Sequence, residues 1–247
     1  MFDHVTIRVA DRAASERFYD AVLRPLAIDQ SYRTNAFSEW REFMLTETDP
    51  DNPVTRRLHV GFAAPSRDQV DRFWRVGTEA GYRDDGAPGP RPQYSEDYYG
   101  AFLLDPDGNS VEAVHDREAN PRGTIDHLWI RVADVARAKA FYETIAPHAG
   151  LVLGDDTPER AQFRVGPGGS FSLVAGPPTE HLHLAFGTDD DGAVQRFHAA
   201  ATDAGYRSRG APGERAQYHR GYYAAYVFDP DGNNIEVVNH HRDGPLP

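Results

Sequence analysis

The sequence predicts an α+β chain of four βαβββ modules, arranged as two tandem domains. Three observations predict it: a long internal repeat, alternating strands that each run into a capped helix, and a common turn-and-strand ending in both halves. The segment Asp3-His4-Val5-Thr6-Ile7-Arg8-Val9-Ala10-Asp11 recurs as Asp126-His127-Leu128-Trp129-Ile130-Arg131-Val132-Ala133-Asp134. Leu58-His59-Val60-Gly61-Phe62 recurs as Leu182-His183-Leu184-Ala185-Phe186. The same spacing then relates Ala80-Gly81-Tyr82-Arg83 to Ala204-Gly205-Tyr206-Arg207, and Asp105-Pro106-Asp107-Gly108-Asn109 to Asp229-Pro230-Asp231-Gly232-Asn233. A polar stretch from Asp116 to Gly123, with Pro121, reads as the linker, giving domains 1–118 and 122–247.

Each element follows from local pattern. Residues 3–9 alternate, with Val5, Ile7 and Val9 on one face and His4, Thr6 and Arg8 on the other. Asp11 is placed to cap a helix whose Ala14, Phe18, Val22 and Leu26 follow helical spacing. Short strand-like runs follow between Ser31 and Thr46. A strand at 58–63 leads to Ser66, which with Gln69 forms a capping box. Val70, Phe73, Trp74 and Ala80 give that helix an apolar stripe, and Gly81 is a natural stop. The half closes with strands Tyr98–Leu104 and Ser110–His115, joined by an Asp-Pro-Asp-Gly turn. The aspartates of that turn read as turn residues, because a calcium loop needs a Gly and a Glu that are missing. Gly166-Pro167-Gly168-Gly169 reads as a hairpin turn.

Composition narrows function. The net charge is −12 and Lys139 is the only lysine. That balance repels phosphate backbones, so no nucleic-acid partner is expected, although a local arginine cluster can still hold a small anion. No stretch approaches the roughly 20 apolar residues of a membrane helix, so no membrane partner is expected. Met1-Phe2-Asp3-His4 runs straight into strand-like sequence, which argues against a signal peptide. Cysteine is absent, so disulfides and thiolate metal sites are excluded. Together these features point to the cytoplasm and to a small-molecule substrate.

The polar faces carry the chemistry. His4 and His59 each stand near the start of a strand that precedes a helix, and Glu112 lies in the last strand of the half. Parity puts all three on the polar face. The second half supplies His127, His183 and Glu236 at matching positions. A strand histidine alone is usually structural, but these donor types recur as a set. Two imidazoles and a carboxylate leave open positions and suit a divalent ion: Fe, Mn, Ni, Co or Zn. Whether His4 joins His59 and Glu112, or His183 and Glu236 across the halves, is open at this stage. His181 shares the His183 strand face and is a weaker ligand candidate. His115, His148, His198, His240 and His241 are taken as surface or core residues.

The module order, the strand-opening histidines and the turn followed by Glu (Asp105-Pro106-Asp107-Gly108-Asn109-Ser110-Val111-Glu112, and Asn234-Ile235-Glu236) resemble the vicinal-oxygen-chelate superfamily. That superfamily includes glyoxalase I, bleomycin- and fosfomycin-resistance proteins, methylmalonyl-CoA epimerases and extradiol dioxygenases. The resemblance covers nearly the whole chain. It implies glyoxalase/bleomycin-resistance/dioxygenase-like domains with mixed, curved sheets, helices on the outer face and the metal in the concavity. It also implies a pseudo-dimer within one chain. The chemistry implied is chelation of vicinal oxygens by a metal-dependent lyase, isomerase or dioxygenase; the alternative is a metal-free antibiotic-binding protein.

Arg8 and Arg131 follow His4 and His127 by four positions and so point inward, placed to hold a carboxylate or phosphonate. Trp129, Tyr98 and Tyr222 are candidates for the pocket wall. The stretch from His219 to Glu236 resembles the extradiol-dioxygenase signature. By that resemblance Tyr226 hydrogen-bonds the substrate hydroxyl and His219 lines the oxygen pocket, which makes the second half the expected catalyst. Ser95 and Phe102 stand there in the first half. Two departures are visible: Ala225 replaces a larger apolar residue, and no histidine lies near Val174.

Overall fold

The computed structural model describes residues 2–116, 123–166 and 168–241. Most of the expected linker, with Pro121, lies outside these residues, as do Pro167 and the expected domain limits at 118, 122 and 247.

Four βαβββ modules follow one another. The first contains β1 (Phe2–Val9), α1 (Arg12–Leu23), β2 (Tyr32–Arg33), β3 (Phe37–Trp40) and β4 (Phe43–Glu47). The second contains β5 (Leu58–Ala63), α2 (Arg67–Glu79), β6 (Arg83–Pro90), β7 (Tyr99–Leu104) and β8 (Ser110–His115). The third has β9 (Ile125–Val132), α3 (Val135–Ala149), β10 (Leu151–Thr157), β11 (Arg160–Val165) and β12 (Ser170–Ala175). The fourth has β13 (His183–Thr188), α4 (Asp191–Asp203), β14 (Ser208–Glu214), β15 (Tyr223–Phe228) and β16 (Asn234–Asn239).

Helix starts follow the expected chemistry. Asp11 accepts from the Ala14 amide at 2.9 Å, and Asp134 accepts from Arg137 at 3.0 Å, satisfying amides that lack a partner within the helix. Ser66 accepts from the Gln69 amide, but its hydroxyl donates to the Gln69 side chain, so the box closes side chain to side chain. The stripe expected to run on to Leu26 divides. Here α1 ends at Leu23, and a 3-10 turn over Arg24–Leu26 takes in Pro25, which lacks the N–H an α-helix needs.

The strands form two eight-stranded curved mixed sheets. One runs β14-β15-β16-β13-β1-β4-β3-β2, the other β6-β7-β8-β5-β9-β12-β11-β10. Advancing every label by eight turns the first order into the second, which is the signature of internal two-fold symmetry. Each sheet takes one module from each half. Its centre is an antiparallel joint, β1 against β13 or β5 against β9. One apolar core runs through the molecule and includes Phe18, Trp40, Phe62, Phe141, Phe171 and Phe186. Phe43 meets Phe62 edge-on, and Phe171 lies against Phe186, so ring contacts tie one sheet to the other.

Candidate metal centres

The central joints decide which ligands meet. Thr6 of β1 is registered with His183 of β13, and Ala185 with Glu236 of β16. This places His4, His183 and Glu236 on one face. The other joint sets Gly61 of β5 against both His127 of β9 and Glu112 of β8, gathering His59, Glu112 and His127. Both groups place one ligand atom from each residue within mutual reach. Grouping by half is therefore not what the fold makes: each centre takes its β1- or β9-type histidine from the opposite half. His181, the weaker candidate, belongs to neither group and has a left-handed backbone (φ 58°).

In the first centre His4 Nε2 lies 3.0 Å from His183 Nε2 and 3.5 Å from Glu236 Oε2, and His183 Nε2 is 2.9 Å from that oxygen. In the second, His59 Nε2 is 3.2 Å from His127 Nε2 and 3.0 Å from Glu112 Oε2, with 3.3 Å closing the triangle. Three donors about 2.1 Å from a common point and at right angles stand about 3.0 Å apart, and tetrahedral donors about 3.4 Å apart. The second triangle falls within this range, and the first, at 2.9–3.5 Å, brackets it.

The supports fit the same reading. His4 Nδ1 hydrogen-bonds Asp3 at 2.8 Å and His127 Nδ1 hydrogen-bonds Asp126 at 2.9 Å. His59 Nδ1 meets Ser110 at 3.1 Å, and His183 Nδ1 meets the Asn234 amide. An outer partner on Nδ1 fixes the ring and turns the Nε2 lone pair inward. Among the described residues the buried Oδ1 of Asn234 has no partner. Turning that amide over lets Oδ1 accept from Nδ1–H of His183, the tautomer that frees Nε2 for a cation. Tyr222 donates to Glu236 Oε1 at 2.6 Å and Tyr98 to Glu112 Oε1 at 2.8 Å, leaving each Oε2 for the centre.

The charges of each centre are set by burial and by the groups' mutual pairing. Burial opposes ionisation of Glu112 and Glu236, yet the two histidines on each outweigh it and hold both at about 2. Burial opposes protonation of His4 and His127, but their flanking carboxylates hold both up at about 10. Burial, only partly offset by the glutamates, keeps His59 and His183 below the ordinary histidine value. A divalent ion bound at either centre would take the place of the proton that these shifts favour on His4 or His127.

Other expected site residues divide. Trp129 stands over the second centre, its ring 5.6 Å from His59 and edge-on to Tyr94. Thr6 holds the matching place beside the first centre. Tyr98 and Tyr222 were expected as wall, and the structure commits their hydroxyls to the glutamates. Tyr226 faces Glu236 across β15 and β16, and among the described residues its buried hydroxyl makes no well-formed hydrogen bond, although the Glu236 carboxylate is near enough to act on it. Burial and the Glu236 carboxylate push that phenol up. His219 is half-buried, and its ring nitrogens are engaged by His240 and the Arg220 carbonyl. Arg8 lines a cavity of about 220 Å³ with Asn52, His181, Arg209, Phe228 and Asn234. Arg131 donates to the Arg57 carbonyl at 3.1 Å. Sequence reading missed Asp3, Asp126, Ser110 and Asn234, although the two aspartates stand in the Asp-His pairs that open the repeat.

Fold and paired centres together define a tandem pair of vicinal-oxygen-chelate domains. The chain belongs to the glyoxalase/bleomycin resistance protein/dioxygenase superfamily, whose model matches residues 1–113 and again 124–237. It is 28% identical over 120 residues to the metallothiol transferase FosB of Shouchella clausii (strain KSM-K16), covering 46% of this chain and 77% of that protein. The crystal structure of glyoxalase I from Zea mays superposes with a TM-score of 0.74 at 19% identity, over 97% of this chain and 92% of that one. A glyoxalase/bleomycin resistance protein from Albidiferax ferrireducens T118 is 34% identical over 47% of this chain and 99% of its own, with a TM-score of 0.43. Among the described residues, no helix is long and apolar enough to cross a membrane.

Proposed function

We propose that the protein is a metal-dependent enzyme of the glyoxalase or dioxygenase kind, acting on a small molecule that offers two adjacent oxygens. The observation that carries this is the pair of His, His, Glu triangles, each with Nε2 and Oε2 atoms converging from three strands. Their fit to metal-donor spacing and the outer partners on every imidazole support the reading, as does the likeness to a protein described as a metallothiol transferase.

A divalent ion (Fe, Mn, Ni, Co or Zn) held by His4, His183 and Glu236, or by His59, Glu112 and His127, supplies Lewis-acid polarisation of the chelated oxygens. The chain's residues do the rest. Tyr98 and Tyr222 hold the glutamates in the ligating rotamer. Tyr226 keeps its phenol protonated and, facing Glu236, is placed to donate to a substrate oxygen at the first centre. Arg8, in the cavity it lines with His181 and Asn234, is suited to a carboxylate or phosphonate, and Arg131 occupies the matching place in the second sheet. Trp129 gives the second centre an apolar wall. His219 acts from behind the first centre, through its contact with His240. Chain limits of 1–118 and 122–247 remain the proposed domains.

Elemental analysis after loading and desalting tests the reading, with an expected stoichiometry approaching two ions per chain. Anaerobic Fe(II) loading, followed by catechols and oxygen, then reads ring cleavage as a yellow product. A chain that takes up no ion under any loading condition overturns the proposal in favour of metal-free antibiotic binding.

A further inference from the structure

The two centres use the same ligand types but differ behind one of them. Asp3 accepts from His4 Nδ1 at 2.8 Å and from His240 Nε2 at 2.9 Å. His240 Nδ1 in turn meets His219 Nε2 at 2.9 Å, with the two rings stacked 5.2 Å apart. His219 Nδ1 closes the line on the Arg220 carbonyl at 2.9 Å. The side chains of Asp3 and His240 are only 9% and 8% exposed, so water competes little for these bonds. His240 also packs edge-on against Tyr222, the residue that donates to Glu236. One histidine pair therefore braces the supports of two ligands.

The second centre is built otherwise. Asp126, which holds His127, is 23% exposed. The positions matching His219 and His240 are Ser95 and Asp116, and these bond each other at 2.8 Å. Asp116 carries no N–H donor for Asp126, so it cannot do what His240 does for Asp3.

We propose that His240 and His219 are positioning residues for the first centre alone. They fix the Asp3 carboxylate, which holds His4 with Nδ1–H outward and Nε2 toward the ion. A carboxylate held by two donors gives up less freedom when the ligand engages, so the first centre is preorganised where the second is not. This rests on reading both triangles as metal centres.

The test is Co(II) titration of the full-length, metal-free protein, followed by visible absorption. Glu112→Gln disables the second centre and leaves the first to be read alone; Glu236→Gln does the reverse. With Glu112→Gln, adding His240→Ala or His219→Ala should weaken Co(II) binding by about 10- to 100-fold and shift the absorption bands. His240→Gln, which keeps a donor for Asp3, should recover part of the loss. With Glu236→Gln, the same changes should leave the second centre's affinity within about twofold, which also shows that the variants fold. Unchanged affinity and bands at the first centre, or equal weakening at both, overturns the proposal while leaving the metal centres standing. A wild-type chain that binds no Co(II) overturns the metal reading itself, and the proposal with it.

Discussion

Gly61 offers the sharpest perturbation of one centre. A Cβ built there lies 2.4 Å from His127 Cε1, 2.7 Å from Nδ1 and 3.0 Å from Nε2. Carbon contacts settle near 3.5–4.0 Å, so Gly61→Ala must move the imidazole by about 1 Å. The strand itself has little room to yield, because β5 is paired on both sides, to β8 and β9. Metal–ligand distances tolerate about 0.2 Å, so the displaced ring leaves the coordination distance. The loss should be at least about 100-fold in affinity at the second centre, or about 2.7 kcal/mol. The matching residue beside His4 is already Ala185, so the first centre accommodates the methyl group and should be untouched. Equilibrium dialysis with elemental analysis should find one tightly held ion in place of two. Two ions at unchanged affinity in the variant would refute the close approach as the reason for glycine here.

Other outcomes follow from the same geometry. Tyr222→Phe removes a donor from the buried Glu236 and should weaken the first centre about tenfold, read by calorimetric titration. An ion at either centre must displace the proton that His4 or His127 holds at about 10. Affinity should therefore rise about tenfold per pH unit between 7 and 9, with buffer-dependent heats showing about one proton released per centre. Metal-free stability runs the other way: these raised histidines contribute fully below the unfolded value near 6.5, and the contribution fades as pH rises through 10. A paramagnetic ion at the second centre should quench Trp129 fluorescence, and Trp129→Phe should abolish that quenching while Trp40 and Trp74 still emit. A fragment of residues 1–118 should not persist as a monomer, because the inner edges of β1 and β5 lose the partners β13 and β9.

The ligands were legible because strand parity is a local property: His4, Thr6 and Arg8 alternate against a wholly buried set, and Glu112 stands between Val111 and Ala113. Their grouping was not. Whether β1 meets β5 or β13 depends on how modules dock, and equivalent edges leave the sequence nothing to choose with. The strands β6 and β14 escaped for a different reason. Arg83–Pro90 and Ser208–Glu214 carry glycines and prolines that weaken strand character, and they sit at sheet edges with shifted register, where such residues are tolerated. Tyr98 and Tyr222 were marked as aromatic, but only three dimensions show each hydroxyl bonded to a carboxylate fourteen residues on.

The two sheets also differ in how the ribosome delivers them. One is assembled from a continuous run, β5 through β12, while the other joins the first four strands of the chain to the last four. At about 5–20 residues per second, β1 must wait on the order of ten seconds or more between its own synthesis and that of β13. During that interval an apolar strand has one open side, the condition under which chains pair with the wrong partner. The inner sheet faces no such delay once residue 175 has emerged. Premature termination before β13 would then leave a chain with a finished inner sheet and an orphaned first module, a species for quality control to recognise by its bare β1 edge.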